Sequence, residues 1–256
     1  MIHLFALLSL LLCGVCYTGF QNSSHFHNTG NRRSLLFLVF GGALLLRLLL
    51  AYTTHGFSND IACFAAWADR IFTLGPGQFY SAEMFTDYPP GFMYVLYLIG
   101  ALRSLLQIPY YSDLHILLLK LPAILCDIAC GFLLHREAVK RLHFSDLQGI
   151  FAASAYLFQP AVILNSSCWG QVDSVYTLMI ILMCLFLMKG NLLPAYAVYG
   201  LGVLLKPQML IFTPVLLTGI WDHVFLQDFP GGNSSIICAV VWLSSAGCSF
   251  CALLSD

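Results

Sequence analysis

Two acidic residues in the first third of the chain are the side chains best placed to do chemistry. Asp60 stands in SNDIACFAAWADR, which begins at Ser58, and Asp87 stands in TDYPPG, residues 86–91. A carboxylate held near a hydroxyl and partly shielded from water can act as a general base. A carboxylate at the start of a helix also serves as a cap. Both roles stay open for Asp60.

TDYPPG gives the chain a rigid path into the apolar run that follows it. Pro89 and Pro90 fix their own φ angles and remove two backbone N–H donors, and they push Tyr88 towards an extended conformation. A turn that leads into a helix needs only the prolines, since proline is accepted in a first helical turn. The turn does not need Asp87 or Tyr88, and these two residues are therefore candidates for function.

Two later polar motifs interrupt apolar runs. NSSCWGQVDS, residues 165–174, groups Trp169, Gln171 and Asp173 at a predicted junction between helices, where a bent backbone and hydrogen-bond donors can line a cavity. A Trp alone is ordinary at a membrane interface. The amide and the carboxyl group beside it leave structural and functional interpretations open.

The second motif is KPQ, which places a cation and the amide of Gln208 at a proline break. Pro207 disfavours helical geometry at Lys206. The Lys206 side chain then either points into a polar cavity or extends its ammonium group to the membrane interface.

Lys120 and Asp127 stand in one apolar run, seven positions apart, so a helix carries both on one face. Ionisable groups inside a membrane span are costly, and they mark either a functional site or a buried pair between helices. We favour the structural role for these two residues.

The elements that must position these residues are transmembrane helices. The chain of 256 residues is 59% hydrophobic and 9% charged, and its mean hydropathy is +0.83. A span needs about 20 largely apolar residues. The net charge is −1 and the 11 basic residues are scattered, so no nucleic-acid partner is expected.

Apolar runs predict an all-α, polytopic transmembrane bundle of about seven to nine spans. The predicted spans are 34–54, 91–107, 114–134, 149–165, 173–189, 191–205, 207–221 and 235–254. The loop at 55–90 is expected to carry a short amphipathic helix in the membrane interface. Its apolar face consists of Ile61, Phe64, Ala65, Ala68 and Ile71, and GPGQFY at 75–80 ends it.

Arg32 and Arg33 precede the first of these spans, and the positive-inside tendency places them in the cytoplasm. The loop at 55–90 is then outside. Alternation also puts 135–146 outside, where its cations are unexpected. Either one helix is re-entrant or missed, or these cations contact a lipid phosphate on the outer face.

Residues 1–31 form an apolar segment and a polar linker. Residues 2–20 have no preceding Lys or Arg and no clear cleavage pattern, so a signal peptide and an extra span both stay open. Most of the ten Cys lie in apolar runs, where we interpret them as small apolar side chains. The Cys-x-x-Cys spacings at 13–16 and 248–251 have no second ligand pair and predict no metal site.

After the acid of the outer loop, four motifs follow in order: TDYPPGFMYVLYLIG, KLPAILCD, QPAVILNSSCWGQVDS and LLKPQMLIFTP. Together they resemble the bacterial membrane glycosyltransferases of the GT-C superfamily. The most similar group is the mannosyltransferases related to the second mannosyltransferase of GPI-anchor assembly. DYPP is also similar to the motif of the dolichyl-phosphate-glucose-dependent glucosyltransferases of N-glycan assembly. The resemblance covers residues 32–220, and the order of the motifs carries it.

The resemblance implies an inverting transferase that moves a hexose, here mannose, from a polyprenyl-phosphate carrier to an acceptor hydroxyl outside the cytoplasm. The acceptor is a glycan, a lipid or a protein. Asp60 would be the base that deprotonates this hydroxyl, and Lys206 would offset the charge of the leaving lipid phosphate. The substrate-binding residues implied are Asp87, Tyr88, Trp169, Gln171, Asp173, Lys206 and Gln208.

The chain departs from this family in two respects. Many members carry paired acids in the first loop, whereas Asn59 precedes Asp60 here, so no metal cofactor is expected on that motif. The membrane module of residues 32–256 ends sooner than in most members, and a partial sequence is therefore expected.

Two other functions remain. A multi-pass transporter or flippase for lipids or solutes also uses charges within the membrane, but matching broken helices in two halves are not visible. A truncated, non-catalytic fragment is the third hypothesis. The resemblance predicts a bacterial plasma membrane. The Asn-x-Ser sequons at Asn22, Asn165 and Asn233 fit the alternative, an endoplasmic reticulum membrane.

Overall fold

The computed structural model describes residues 32–81 and 85–217, together with the single positions Leu11, Gly14 and Thr18. Within these ranges the secondary structure is helical and contains no strand, which confirms the all-α prediction for this part of the chain. The predicted N-terminal segment, the span at 235–254, both Cys-x-x-Cys spacings and two of the sequons lie outside the described residues.

Eight α-helices are described, and three shorter helical segments accompany them. The α-helices are α1 (Arg32–Thr53), α2 (Ser58–Leu74), α3 (Pro90–Leu105), α4 (Asp113–Lys140), α5 (Asp146–Leu157), α6 (Pro160–Ile163), α7 (Asp173–Met188) and α8 (Leu192–Leu205). The shorter segments are a 3₁₀ turn at Pro76–Gln78, a π-helical turn at Leu164–Trp169 and a 3₁₀ segment at Pro207–Phe212.

Local signals explain where several helices begin. Ser112 precedes α4, and its side chain accepts a hydrogen bond from the His115 N–H. Ser145 precedes α5 and forms a capping box with Gln148. Pro90 opens α3, where its missing N–H removes no helical hydrogen bond.

The chain forms two compact units. Unit 1 consists of Met1–Ala62 and Pro109–Ser174, and unit 2 consists of Cys63–Ile108 and Val175–Asp256. The boundaries therefore fall inside α2 and inside α7, close to the N-terminal end of each helix.

In unit 1, α4 packs along α5, and α1 packs against both helices. Ala43 of α1 and the α5 residues Ala153 and Leu157 form a small buried apolar cluster. In unit 2, α3 packs against α8, and α8 packs against the 3₁₀ segment that follows it. The buried core of unit 2 includes Met183 of α7 and Met209 of that segment.

Two helices, α1 and α4, are long and apolar enough to cross a membrane. A third span results if α5 and Pro160–Trp169, which are bent by 53° at a short break, count as one. The other predicted spans within the described residues correspond to α3, α7, α8 and Pro207–Leu217, which are apolar helices of only 10–17 residues. The described residues thus indicate a membrane protein with two or three candidate spans, and the larger number is not confirmed.

The predicted span at 149–165 corresponds to two helical pieces with a bend between them. The helix stops at Leu157 and restarts at Pro160, and Gln159 between them has an extended backbone with φ −62° and ψ 120°. Pro160 causes this break, because its ring disfavours helical geometry in the preceding residue and it has no N–H to donate.

The amphipathic helix predicted in the loop at 55–90 is confirmed as α2, and Gly75 follows its last residue. The predicted placement of its apolar face in the membrane interface was wrong. The five residues of that face are at most 2% exposed, so protein and not lipid covers them.

Candidate functional site

Each unit carries its own group of the residues predicted from the sequence to form a site. Unit 1 holds Asp60, Trp169, Gln171 and Asp173, and unit 2 holds Asp87, Tyr88, Lys206 and Gln208. The first group contains two acids, one amide and the tryptophan, and the second contains one acid, one amide, the cation and the tyrosine.

In unit 1, the structure brings Asp60 and Gln171 together across 111 positions of sequence. The Nε2 atom of Gln171 donates a hydrogen bond to Oδ2 of Asp60. Asp60 lies in the first turn of α2, and Gln171 follows the π-helical turn. Hydrogen bonds to ionised groups are stronger than those between neutral groups. Asp60 therefore stands in the first turn of its own helix and also accepts a hydrogen bond from a segment distant in sequence.

A backbone hydrogen bond fixes the loop before α2 against the segment that carries Gln171. The Phe57 N–H donates to the Trp169 carbonyl at 2.9 Å, and the centroids of the two rings are 5.8 Å apart. Gly56 has φ +79°, and a Cβ there would lie 2.8 Å from the Trp169 carbonyl oxygen. Gly170 has φ +87°, and its Cβ would lie 2.7 Å from Ile61. Both positions require glycine for this close approach.

The remaining two unit 1 residues differ in exposure and contact. The Trp169 side chain is 37% exposed, so part of its ring can meet a ligand. Asp173 begins α7 and accepts a hydrogen bond from Nδ2 of Asn165 at 2.9 Å. A carboxylate in a first helical turn also meets the positive end of the helix dipole. Asp173 therefore has a structural role in holding the π-helical turn to α7.

Lys120 and Asp127, which the sequence spacing places on one helix face, are both fully buried in α4. Asp127 pairs with Arg47 of α1, whose Nε lies 3.1 Å from Oδ2 of Asp127. Arg47 also donates to the Leu157 carbonyl at 2.7 Å, and Ser166 donates to Asp127 at 2.6 Å. The structural interpretation of Asp127 agrees with these contacts.

Lys120 has separate partners from Asp127. Its Nζ donates to the carbonyls of Ala51 at 3.2 Å, Thr54 at 2.7 Å and Ser167 at 3.0 Å. It also lies 3.1 Å from Oγ1 of Thr54. In the sequence, this arrangement is indicated only by a lysine in the middle of an apolar run. Such a lysine does not identify the acceptors of its ammonium group.

In unit 2, Tyr88 lies in an aromatic cluster. Its ring centroid is 5.5 Å from that of Phe64, 5.8 Å from Trp67 and 5.3 Å from Phe92. The Tyr80 hydroxyl donates to the Tyr88 carbonyl at 3.0 Å. Partial loss of solvent raises the pKa of the Tyr80 phenol from 10.0, so the group stays protonated and remains a donor at neutral pH.

Two further observations show how the chain enters α3. Pro89 is extended, with φ −72° and ψ 166°, which agrees with the rigid path predicted for TDYPPG. Trp67 donates from Nε1 to the Phe85 carbonyl at 3.1 Å and holds the start of this path. Asp87 itself is exposed, as is Gln208 in the 3₁₀ segment.

Lys206 has the extended backbone that the following proline predicts, with φ −152° and ψ 122°. The residue is only 8% exposed, which contradicts extension of the ammonium group to the membrane interface. Its Nζ lies 5.6 Å from the ring centroid of Tyr176 and 5.9 Å from that of Tyr88. A cation within about 6 Å of an aromatic ring is attracted to it.

No group of three or more His, Cys, Asp or Glu that could hold a metal ion occurs among residues 32–81 and 85–217. Comparisons of this chain with protein-family models, with characterised proteins and with solved structures found no match.

Proposed function

We propose that this protein is an inverting, multi-pass membrane glycosyltransferase that moves a hexose from a polyprenyl-phosphate carrier to an acceptor hydroxyl. The proposal includes mannose as the sugar, a glycan, lipid or protein as the acceptor, and the outer face of a bacterial plasma membrane. The order of the sequence motifs supports the reaction class. The observation that carries it is the hydrogen bond from Gln171 to the carboxylate of Asp60.

The proposed reaction assigns one proton transfer to Asp60. Its carboxylate accepts the proton of the acceptor hydroxyl, and the oxygen attacks the anomeric carbon from the face opposite the phosphate. The bond between that carbon and the phosphate oxygen breaks, and the lipid phosphate leaves with the electron pair. A general base typically contributes about 10²–10⁴-fold to such a rate.

The proposed role of Gln171 is to orient this carboxylate, and Trp169 offers a partly exposed ring against which a sugar can pack. Lys206 is the group proposed to meet the lipid phosphate, because a fixed cation stabilises negative charge that develops on a leaving group. Asp87, Tyr88 and Gln208 stay in the proposal as substrate-binding residues through the sequence motifs alone.

The test is sugar transfer by membranes that contain the full chain, supplied with polyprenyl-phosphate mannose carrying a radiolabel. We expect Asp60→Asn to lower the rate by about 10²-fold or more. Asp113→Asn is the matched control, because it makes the same change in the first turn of α4. Transfer by Asp60→Asn at the unaltered rate would remove Asp60 as the base. Movement of the lipid across vesicles without any glycosyl product would instead favour a flippase.

A further inference from the structure

One buried lysine joins the two backbone segments that lead to Asp60 and Gln171. Lys120 is 0% exposed, and its Nζ donates to the carbonyls of Thr54 and Ser167 at 2.7 and 3.0 Å. Thr54 directly follows α1, and Ser167 lies in the π-helical turn. A single ammonium group therefore connects the end of α1 with that turn.

The carbonyls that Lys120 meets on α1 are those that a helix cannot satisfy itself. The last four carbonyls of a helix have no N–H partner within it, and Ala51 and Thr54 stand at that end. A cation there is also stabilised by the negative end of the helix dipole. An ammonium group offers three donors, one for each of the carbonyls of Ala51, Thr54 and Ser167.

The stem of the same side chain packs beneath the segment that carries Gln171. A Cβ on Gly170 would lie 3.3 Å from Cε of Lys120. Gly170 stands between Trp169, which accepts the Phe57 N–H, and Gln171, which donates to Asp60. Lys120 thus contacts the backbone of the segment before Asp60, at Thr54, and of the segment before Gln171, at Ser167. The acceptors of its ammonium group do not include Asp60 or Gln171 themselves.

We propose that Lys120 is a positioning residue for the Asp60–Gln171 pair: it fixes the end of α1 to the π-helical turn and so aligns the carboxylate with the amide. The proposal rests on the proposed function for the catalytic meaning of this alignment. The alignment itself is a property of unit 1 and does not depend on the proposed function.

The first experiment measures transfer kinetics of Lys120→Met in the full chain, because methionine keeps an unbranched stem and removes every donor. We expect kcat to fall by about 10–100-fold, since a misplacement near 1 Å can cost about 10²-fold, while KM for the sugar donor changes little. Lys189→Met is the control, because Lys189 is exposed after α7.

A double-mutant cycle separates positioning from loss of fold. If Lys120 acts through the pair, Lys120→Met adds little to the fall in kcat that Gln171→Leu already causes. Two falls that multiply would overturn the proposal, as would an unchanged kcat in Lys120→Met. Lys120→Gln keeps two donors on a shorter stem, and we expect an intermediate kcat from it. This milder variant serves if Lys120→Met does not fold.

The second experiment does not depend on activity. Hydrogen–deuterium exchange of the peptide that contains Phe57 should accelerate in Lys120→Met, because the bond from the Phe57 N–H to Trp169 loses its support. Exchange in α8 should stay as in the unaltered chain. Equal acceleration in both units, or none at Phe57, would overturn the positioning role.

The two experiments keep the two proposals apart. If the unaltered chain transfers no sugar but Lys120→Met still accelerates exchange at Phe57, the transferase is refuted and the alignment is retained. Transfer that depends on Asp60 but is indifferent to Lys120 would retain the transferase and refute the positioning role.

Discussion

Unit 1 and unit 2 each bury a lysine, but they surround it differently. Lys120 donates to backbone carbonyls at 2.7–3.2 Å, whereas the Nζ of Lys206 lies 5.6 and 5.9 Å from the rings of Tyr176 and Tyr88. A carbonyl oxygen accepts a hydrogen bond and so fixes the direction of the donor. The face of an aromatic ring attracts a cation but restricts its direction much less. A lysine in an apolar run can thus donate to backbone carbonyls, as Lys120 does, or lie beside aromatic rings, as Lys206 does.

The two units also differ in other buried residues. Unit 1 contains a polar network in which Arg47, Asp127 and Ser166 are joined by hydrogen bonds, so the loss of Arg47 removes the cation that pairs with the buried Asp127 carboxylate. In unit 2 the ring of Tyr88 lies among the aromatic rings of Phe64, Trp67 and Phe92. Four predictions test this difference.

The largest effect is expected from Arg47→Met in unit 1. It leaves the Asp127 carboxylate buried and unpaired, which costs about 3–5 kcal/mol of unfolding free energy when a buried ion pair is broken. Thermal unfolding of the purified chain in detergent measures it. Arg33→Met, an exposed change in the same helix, is the control. Adding Asp127→Asn should restore part of the loss, and a stable Arg47→Met would show that the network is not essential.

The next effect concerns Lys206 in unit 2 and is expected in activity more than in stability. Lys206→Met should lower sugar transfer by about 10²-fold, as loss of a fixed charge-stabilising donor does in other enzymes. Lys206→Arg should retain more activity because it keeps the charge. Unfolding temperatures as low as those of Arg47→Met would contradict the proposed difference between the units.

A smaller effect is expected from Tyr176→Leu, which removes one of the two rings beside Lys206. A cation–π contact is worth about 0.5–2 kcal/mol, so transfer should fall by about 2–30-fold. Tyr176→Phe keeps the ring and should stay near the unaltered rate. Equal losses in both variants would assign the effect to the hydroxyl group and not to the ring.

The smallest effect is expected from Tyr80→Phe, which removes the donor to the Tyr88 carbonyl. The bond is half-exposed, so its loss should cost less than about 1 kcal/mol. Because the pKa of Tyr80 is raised in the folded protein, its contribution is complete below the unfolded pKa of 10.0 and is lost as pH rises above it. Unfolding temperatures of the two proteins should therefore differ at pH 8 and converge above pH 10. A difference that grows with pH would contradict the assignment.

Local rules predicted much of the fold. Hydropathy located the helices in the described ranges, and proline sterics predicted the extended backbone at Lys206 and at the start of α3. The break before Pro160 follows from the same rule, whereas hydropathy alone does not indicate a bend within 149–165. The length of each helix was harder to predict, because the apolar composition continues past the turns at which the helices end.

The candidate site was predictable as a list of residues and not as a set of contacts. Asp60, Gln171 and Lys206 stand out in sequence because polar groups are costly in an apolar chain. Nothing in the sequence pairs Asp60 with Gln171, or Asp127 with Arg47 in place of Lys120. The helical spacing of Lys120 and Asp127 described their shared face correctly, but their partners come from other helices.

Local sequence is enough to predict that the described ranges are helical and apolar, that the chain breaks at its prolines, and which side chains are costly to bury. These properties depend on hydropathy and backbone sterics that act within a few residues. The partners of the buried polar groups depend on tertiary structure, because the Asp60–Gln171 and Arg47–Asp127 contacts span 111 and 80 positions of sequence. Contacts over such distances depend on how helices pack, and rules that act within a few residues do not supply that packing.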